Sequence, residues 1–164
     1  MTHDIQRGAL ARPALLRSQV FYAGQWRSAA SGQTIVVTDP FTGDEIGRIP
    51  SLAAEEVQAA IDAAVAAFTR WSRTLNRERG ALLRRWFELI ERDQEDLARL
   101  ITLENGKPLK EARAEVAYGA GFVEVYAEEA GRILGEIIPP TMPGRKLYAE
   151  REAVGVCVAI TPSV

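Results

Sequence analysis

Hydrophobic residues recur every three or four positions between residues 51 and 134, which is the period of helices that bury one face. The pattern predicts four helices. The first is expected to be capped by Ser51 and the second to begin near Asn76. The third is expected to end with Gly106 in the left-handed conformation, and the fourth to hold Pro108 in its first turn. The predicted buried face of the first helix comprises Val57, Ile61, Ala64, Val65, Phe68 and Trp71.

The fourth predicted helix carries the longest apolar stripe, and half of its members are alanine. Gly119 and Gly121 add further small residues. Each glycine costs about 1 kcal/mol relative to alanine in a helix interior, so close approach of another element is the expected compensation. The stripe consists of Leu109, Ala112, Val116, Ala120, Val123, Ala127, Ala130 and Leu134.

Short strands are predicted on both sides of the helices. Ile35–Thr38 and Glu45–Ile49 flank the turn sequence DPFTGD, which favours a β-hairpin. After the fourth helix, the segment RKLYAERE alternates in polarity and predicts an exposed, charged strand.

The apolar run Val154–Ile160 differs from the earlier strands, because residues on both of its faces are apolar. This is typical of a strand inside a parallel sheet covered by helices on each side. The small residues of one face could pack on the small-residue stripe of the fourth helix. Thr161 and Pro162 follow at the carboxyl end, where open α/β sheets place their ligand crevice. One such strand makes an incomplete sheet.

Composition favours a globular protein that binds neither nucleic acid nor a membrane. The 164 residues carry a net charge of −2, and no apolar stretch approaches the roughly 20 residues that span a bilayer. The single cysteine fits a reducing compartment, so a cytoplasmic location is expected. Residues 1–19 hold three arginines and weakly resemble a mitochondrial transit peptide, but Gly8 and Pro13 interrupt any helical face, which favours a loosely ordered N-terminus.

Candidate chemical groups are few. Cys157, the only cysteine, lies within the apolar run and is expected to be a buried small hydrophobe rather than a nucleophile. Glu104 and Asn105 are expected to take part in capping and in the turn at the end of the third helix. The arginines of RERGALLRRW are expected to lie on a solvated helix face beside glutamates. One histidine, His3, cannot form a metal site with one cysteine.

Nearly the whole chain, from about Val20 to Pro162, resembles the N-terminal third of the aldehyde dehydrogenase superfamily, with the succinate-semialdehyde branch most similar. The resemblance is carried by TLENGKPLKEARAEVAYGAGFVEVYAEEAGRILGEIIP, REAVGVCVAITP and the preceding strands and helices. It implies an α/β fold that is the incomplete N-terminal part of a Rossmann-like cofactor domain. The expected parts are a loose N-terminus over 1–19, strands and helices over 20–143, an oligomerisation-arm strand over 144–153, and the first strand of the parallel sheet over 154–164.

The resemblance also implies a reaction, the NAD- or NADP-dependent oxidation of a small aldehyde to a carboxylate through a cysteine thioester. Ile160, Thr161 and Pro162 match the segment that contacts the cofactor. In the family, Trp-Asn-Phe-Pro follows, with the asparagine as oxyanion donor, whereas this chain has Ser163 and Val164. The catalytic cysteine, the general-base glutamate, the ribose-binding lysine and the pyrophosphate loop would all lie further on.

The chain alone is therefore expected to be an inactive fragment of a semialdehyde dehydrogenase whose full-length form is a homo-oligomer, joined through the strand at residues 145–153. Two alternatives stay open. One is a free-standing interaction module that associates with a full-length dehydrogenase subunit. The other is a helical binding protein unrelated to dehydrogenases.

Overall fold

A computed structural model of the protein describes residues 10–161, and its N-terminal part consists of two antiparallel hairpins. The predicted second hairpin is confirmed, with Thr34 opposite Pro50. Its loop is closed by Asp39, whose side chain accepts a hydrogen bond of 2.8 Å from the amide of Phe41. The strands are β1 (Val20–Tyr22), β2 (Gln25–Arg27), β3 (Thr34–Thr38) and β4 (Glu45–Pro50).

The four predicted helices are present, with two differences at their starts. Ser51 is not the cap of the first helix, because Ala53 occupies the N-cap position. Pro108 is likewise the N-cap of the fourth helix rather than a member of its first turn. Gly106 ends the third helix with φ +73°, as predicted. The helices are α1 (Ala54–Trp71), α2 (Asn76–Arg92), α3 (Gln94–Asn105) and α4 (Leu109–Glu129).

The buried core lies where α4 packs against α3 and α2. Ala98 of α3 and Ala112 of α4 are fully buried, and Val116 lies beside them. The small-residue stripe of α4 is therefore covered by helices and not by the run Val154–Ile160. The close helix approach occurs at Gly80 of α2, where an added Cβ would lie 2.9 Å from the carbonyl oxygen of Ala127.

Gly119 and Gly121 do not mark a close approach in this structure. An added Cβ at either position would meet nothing within 4 Å. The predicted apolar face of α1 is also uncovered, since this helix contains no buried residue. The apolar periodicity of the sequence predicted these helices correctly, but it did not predict which of their faces would be buried.

A third hairpin follows α4 and a short 3-10 turn. Strand β5 (Glu136–Ile138), which the sequence pattern did not reveal, pairs with β6 (Leu147–Ala149) inside the predicted charged strand. Val154–Ile160 forms no strand, because none of the strands within residues 10–161 lies beside it. Gly155 has φ +115°, which is outside the β region. The place of this run in a parallel sheet stays a prediction.

Candidate functional site

The segment expected to contact a cofactor is open to solvent. Ile160 is 93% exposed, Thr161 is also exposed, and Pro162 lies outside the described residues. Neither Ile160 nor Thr161 lines the two cavities that lie between the end of α1, the start of α2 and the segment after α4. Residues 160 and 161 offer backbone hydrogen-bonding groups, but on their own they do not enclose a dinucleotide. The residues that the structure describes therefore do not form a complete cofactor site.

Cys157 is exposed, which corrects the expectation that it would be buried. Burial was predicted from its place in an apolar run, but that run has no sheet around it in the structure. The described partner of the thiol sulfur is the carbonyl oxygen of Gly155, at 3.9 Å. No side-chain base contacts it among residues 10–161, so the arrangement is not that of an activated nucleophile.

The arginines of the second helix face carboxylates, as the sequence pattern predicted. Arg84 pairs with Glu124 of α4 at 2.9 Å and lies 3.9 Å from Glu88 of its own helix. Arg85 pairs with Glu88 at 3.4 Å. Arg79 instead turns back to the carbonyl oxygen of Thr74 and the side chain of Asn76. These pairs describe a solvated helix face that also links α2 to α4.

A carboxylate cluster links α3 to α4. Glu95 accepts hydrogen bonds of 2.7 and 2.9 Å from Arg113 and one of 3.0 Å from Arg99. The Arg113 guanidinium, followed by Arg99, lowers the pKa of Glu95 to about 2. Glu95 therefore remains ionised in the neutral range, and its role is to connect the two helices.

Asp96, the neighbour of Glu95, fixes the N-terminal segment and was missed by the sequence analysis. It is only 5% exposed, and its two carboxylate oxygens accept the amides of Ala11 at 2.9 Å and Arg12 at 2.7 Å. Arg12 also pairs with Asp93 at 3.2 Å, and Leu10 is buried. A loose N-terminus was expected over residues 1–19; residues 10–12 make these contacts, and residues 1–9 lie outside the described part. An acidic residue in a first helical turn was the available signal, but helix dipoles explain such residues equally well.

Two further carboxylates have shifted pKa values with local causes. Glu56 accepts amide hydrogen bonds from Ala53 and Ala30, and these lower its pKa. Partial burial raises the pKa of Glu104, which lies at a small pocket beside the β3–β4 hairpin. Gly106 donates to the carbonyl oxygen of Thr102 at 2.9 Å, so the predicted turn role of this helix end is present. The shifts describe helix and hairpin contacts rather than acid–base chemistry.

Two adjoining cavities, of about 640 and about 830 Å³, lie between the end of α1, the start of α2 and the segment after α4. Both are lined by Trp71, Arg79, Ile133 and Arg151. Among residues 10–161, no group of histidine, cysteine or carboxylate side chains is placed to hold a metal ion. In the same range, no helix is long and apolar enough to cross a membrane.

The sequence matches the aldehyde dehydrogenase family profile over residues 26–162. The chain is 48% identical over 153 residues to a 3-sulfolactaldehyde dehydrogenase of Pseudomonas putida, a match that covers 93% of this chain and 32% of that protein. It is 45% identical over 148 residues to the NADP(+) succinate-semialdehyde dehydrogenase of Escherichia coli K12, covering 90% of this chain and 31% of the relative.

Solved structures give the same result. The fold superposes on a succinate-semialdehyde dehydrogenase from Burkholderia pseudomallei with a TM-score of 0.81 and 42% identity, covering 85% of this chain and 29% of that one. An aldehyde dehydrogenase from Brucella melitensis biovar abortus gives a TM-score of 0.84 at 46% identity, with the same coverage. The chain spans less than a third of the length of these relatives. The resemblance and the incomplete N-terminal fold predicted from the sequence are confirmed, and the chain belongs to the aldehyde dehydrogenase family.

Proposed function

We propose that this chain is the N-terminal part of an NAD(P)-dependent dehydrogenase that oxidises a small semialdehyde of the succinate-semialdehyde type to its carboxylate. The observation that carries the proposal is the continuous family match over residues 26–162, together with relatives named for semialdehyde substrates at 45–49% identity. Ile160, Thr161 and Pro162 would contribute backbone and apolar contacts to the cofactor in the complete enzyme. The cytoplasm is the proposed location, because a single cysteine fits a reducing compartment.

We further propose that residues 1–164 have no dehydrogenase activity by themselves. Nucleophilic catalysis requires a thiolate next to a base, and Cys157 has no such neighbour among the described residues. The exposed positions of Ile160 and Thr161 also leave a dinucleotide without an enclosing site. The purified chain, supplied with succinate semialdehyde and either NAD or NADP, should produce no reduced nicotinamide at 340 nm.

A chimaera tests whether the segment can serve a dehydrogenase. Residues 26–162 replace the matching stretch of the Escherichia coli NADP(+) succinate-semialdehyde dehydrogenase. The expected result is formation of NADPH with succinate semialdehyde, and a faster rate than with a long-chain aldehyde. A folded chimaera that does not turn over any aldehyde would contradict the proposal, as would NADPH formation by the 164-residue chain alone.

A second candidate function is association with a full-length dehydrogenase subunit through residues 144–153. It is favoured by the exposure of the third hairpin, where Ile137 and Tyr148 are 82% and 62% exposed. An exposed edge strand of this kind can pair with another chain. Co-purification of the tagged chain with a full-length dehydrogenase of its own cell is expected. A monomer that binds no such subunit would count against this function.

A further inference from the structure

The run Val154–Ile160 has nearly the same residue pattern in both directions. Cys157 stands at its centre, and large residues at the even positions alternate with small residues at the odd positions. In an antiparallel pair of two copies centred on Cys157, every large residue therefore faces a large one and every small residue faces a small one. Val156 of one copy, for example, lies opposite Val158 of the other. The run is thus complementary to itself when a two-fold axis relates two copies.

The structure leaves this run open for such a partner. Val154 and Ile160 are 91% and 93% exposed, and Val158 is 75% exposed. No strand of the described chain pairs with the run, so its edges can still accept another strand. Gly155 has φ +115° in the structure, and a glycine can turn from this conformation into the β region without a Cβ clash.

Charge and the neighbouring surface favour a second copy of this chain as the partner. The seven residues of the run carry no charge, so antiparallel pairing brings no like charges together. The pairing also places Ile160 of the second copy beside Val154, which lines the cavity of about 830 Å³ together with Leu75 and Ile133. By symmetry, each copy brings its Ile160 to the cavity of the other. The interface therefore combines a two-stranded ribbon with two apolar contacts outside it.

We propose that residues 1–164, as a chain of their own, form a symmetric dimer through antiparallel pairing of Val154–Ile160, with Cys157 on the two-fold axis. This inference goes beyond the proposed dehydrogenase function and does not depend on it. A seven-residue ribbon buries less surface than a standard protein interface, and two-stranded ribbons are marginally stable in water. The dissociation constant should therefore be micromolar or weaker, and dilute solutions should contain the monomer.

The first test is the mass of the chain as its concentration rises. Sedimentation equilibrium should show a shift from the 18.0 kDa chain to twice that mass, without larger species. Cys157→Asp places two carboxylates directly opposite each other and should weaken the dimer by at least about tenfold. Phe41→Asp adds the same charge at a 92% exposed loop position and should change the dissociation constant by less than about twofold. Equal effects of the two variants, or a monomer at every concentration, would overturn the proposal.

Disulfide cross-linking then tests the register of the pair. Cys157 is the only cysteine, so a disulfide between two copies can form only at this position. Diamide takes up two electrons and two protons as it oxidises two thiols, and it should join the copies in the dimer. Opposite Cα atoms in an antiparallel pair are about 4.5–5.5 Å apart, which is within the range that a disulfide spans.

Moving the thiol along the run gives a matched control. The double variants Val156→Cys/Cys157→Ser and Val158→Cys/Cys157→Ser carry their thiols at positions that face each other in the proposed register. A mixture of the two should cross-link into a heterodimer, because directly opposite residues are about 4.5–5.5 Å apart. Either variant alone should cross-link at least about tenfold more slowly, because its two thiols form a diagonal pair about 7–8 Å apart.

Parallel stacking of many copies would give a different result. Identical positions would then face each other, so each double variant alone would cross-link as fast as the mixture, and large species would sediment. Either finding would overturn the symmetric dimer. None of these measurements uses dehydrogenase activity, so failure of the dimer and failure of the proposed function are distinguishable.

Discussion

The core between α3 and α4 and the run Val154–Ile160 are both built from small and branched apolar residues, yet their environments are opposite. Ala98 and Ala112 have no exposed surface, whereas Val154 and Ile160 are 91% and 93% exposed. The helices find partners because α2, α3 and α4 are neighbours in sequence and can pack as they form. A strand needs hydrogen-bonding edges, and the described chain provides none beside this run. An apolar sequence favours burial, but burial requires other elements of the chain that pack against it.

The largest expected effect comes from overfilling the packed region. Ala112→Leu adds three carbon atoms at a position with no exposed surface, and it should lower the free energy of unfolding by about 1–3 kcal/mol or more. Ala114→Leu, at an exposed position of the same helix, is the matched control and should change it by less than about 0.5 kcal/mol. Urea unfolding followed by circular dichroism measures both. Equal destabilisation would show that α4 is not packed on one face.

Loss of the Asp96 contacts should have the next largest effect. Asp96→Asn leaves one of the backbone amides of Ala11 and Arg12 without an acceptor and the other with only a neutral one, at a cost of about 1–3 kcal/mol. Hydrogen exchange should show faster exchange at these two amides. Glu95→Gln alters the adjacent but exposed carboxylate and should leave the two amides protected. Unchanged exchange in Asp96→Asn would contradict the role given to this carboxylate.

Two glycine substitutions should have effects of opposite sign. Gly80→Ala places a Cβ 2.9 Å from the carbonyl oxygen of Ala127, which forces α2 and α4 apart and should cost about 1–2 kcal/mol. Gly121→Ala meets nothing within 4 Å and should raise stability by about 1 kcal/mol through helix propensity. Thermal melts of the two variants give the comparison. If Gly121→Ala destabilises the chain, that face of α4 is covered after all.

The pH dependence of stability should report the Glu95 cluster. Its pKa is lowered from 4.5 to about 2 in the folded chain, so the stabilising contribution is fully present above pH 4.5 and is lost as the pH falls towards 2. Urea midpoints between pH 6 and pH 2 should therefore fall less steeply in Glu95→Gln than in the natural sequence. Parallel curves would indicate that the Arg113 pair does not persist in solution.

The smallest effect is expected in the exposed run. Val158→Ala removes two methyl groups from a residue that is 75% exposed, and it should change the free energy of unfolding by less than about 0.5 kcal/mol. The same substitution in the active chimaera should cost about 1 kcal/mol or more, because the side chain would be buried there. A large effect in the chain alone would mean that the run is already packed.

The candidate site was predictable only in part. The assignment of Ile160 and Thr161 to a cofactor-contacting segment stays a prediction, made from local sequence alone. Whether those residues are enclosed depends on elements far away in a fold, and here they are open to solvent. The exposure of Cys157 was mispredicted for the same reason, since its burial was inferred from a sheet that the described residues do not form.

The sequence by itself determined the four helices, the β3–β4 hairpin and the left-handed turn at Gly106, because each depends on residues close together along the chain. It also determined the family, because similarity over residues 26–162 needs no structure. Only the tertiary structure decided that Asp96 binds the amides of Ala11 and Arg12, and that Gly80, rather than Gly119 or Gly121, lies at a close approach of two helices. Those outcomes join residues more than 40 positions apart, and no local periodicity encodes which surfaces will meet. Contacts between residues so far apart in sequence depend on how the helices pack against one another.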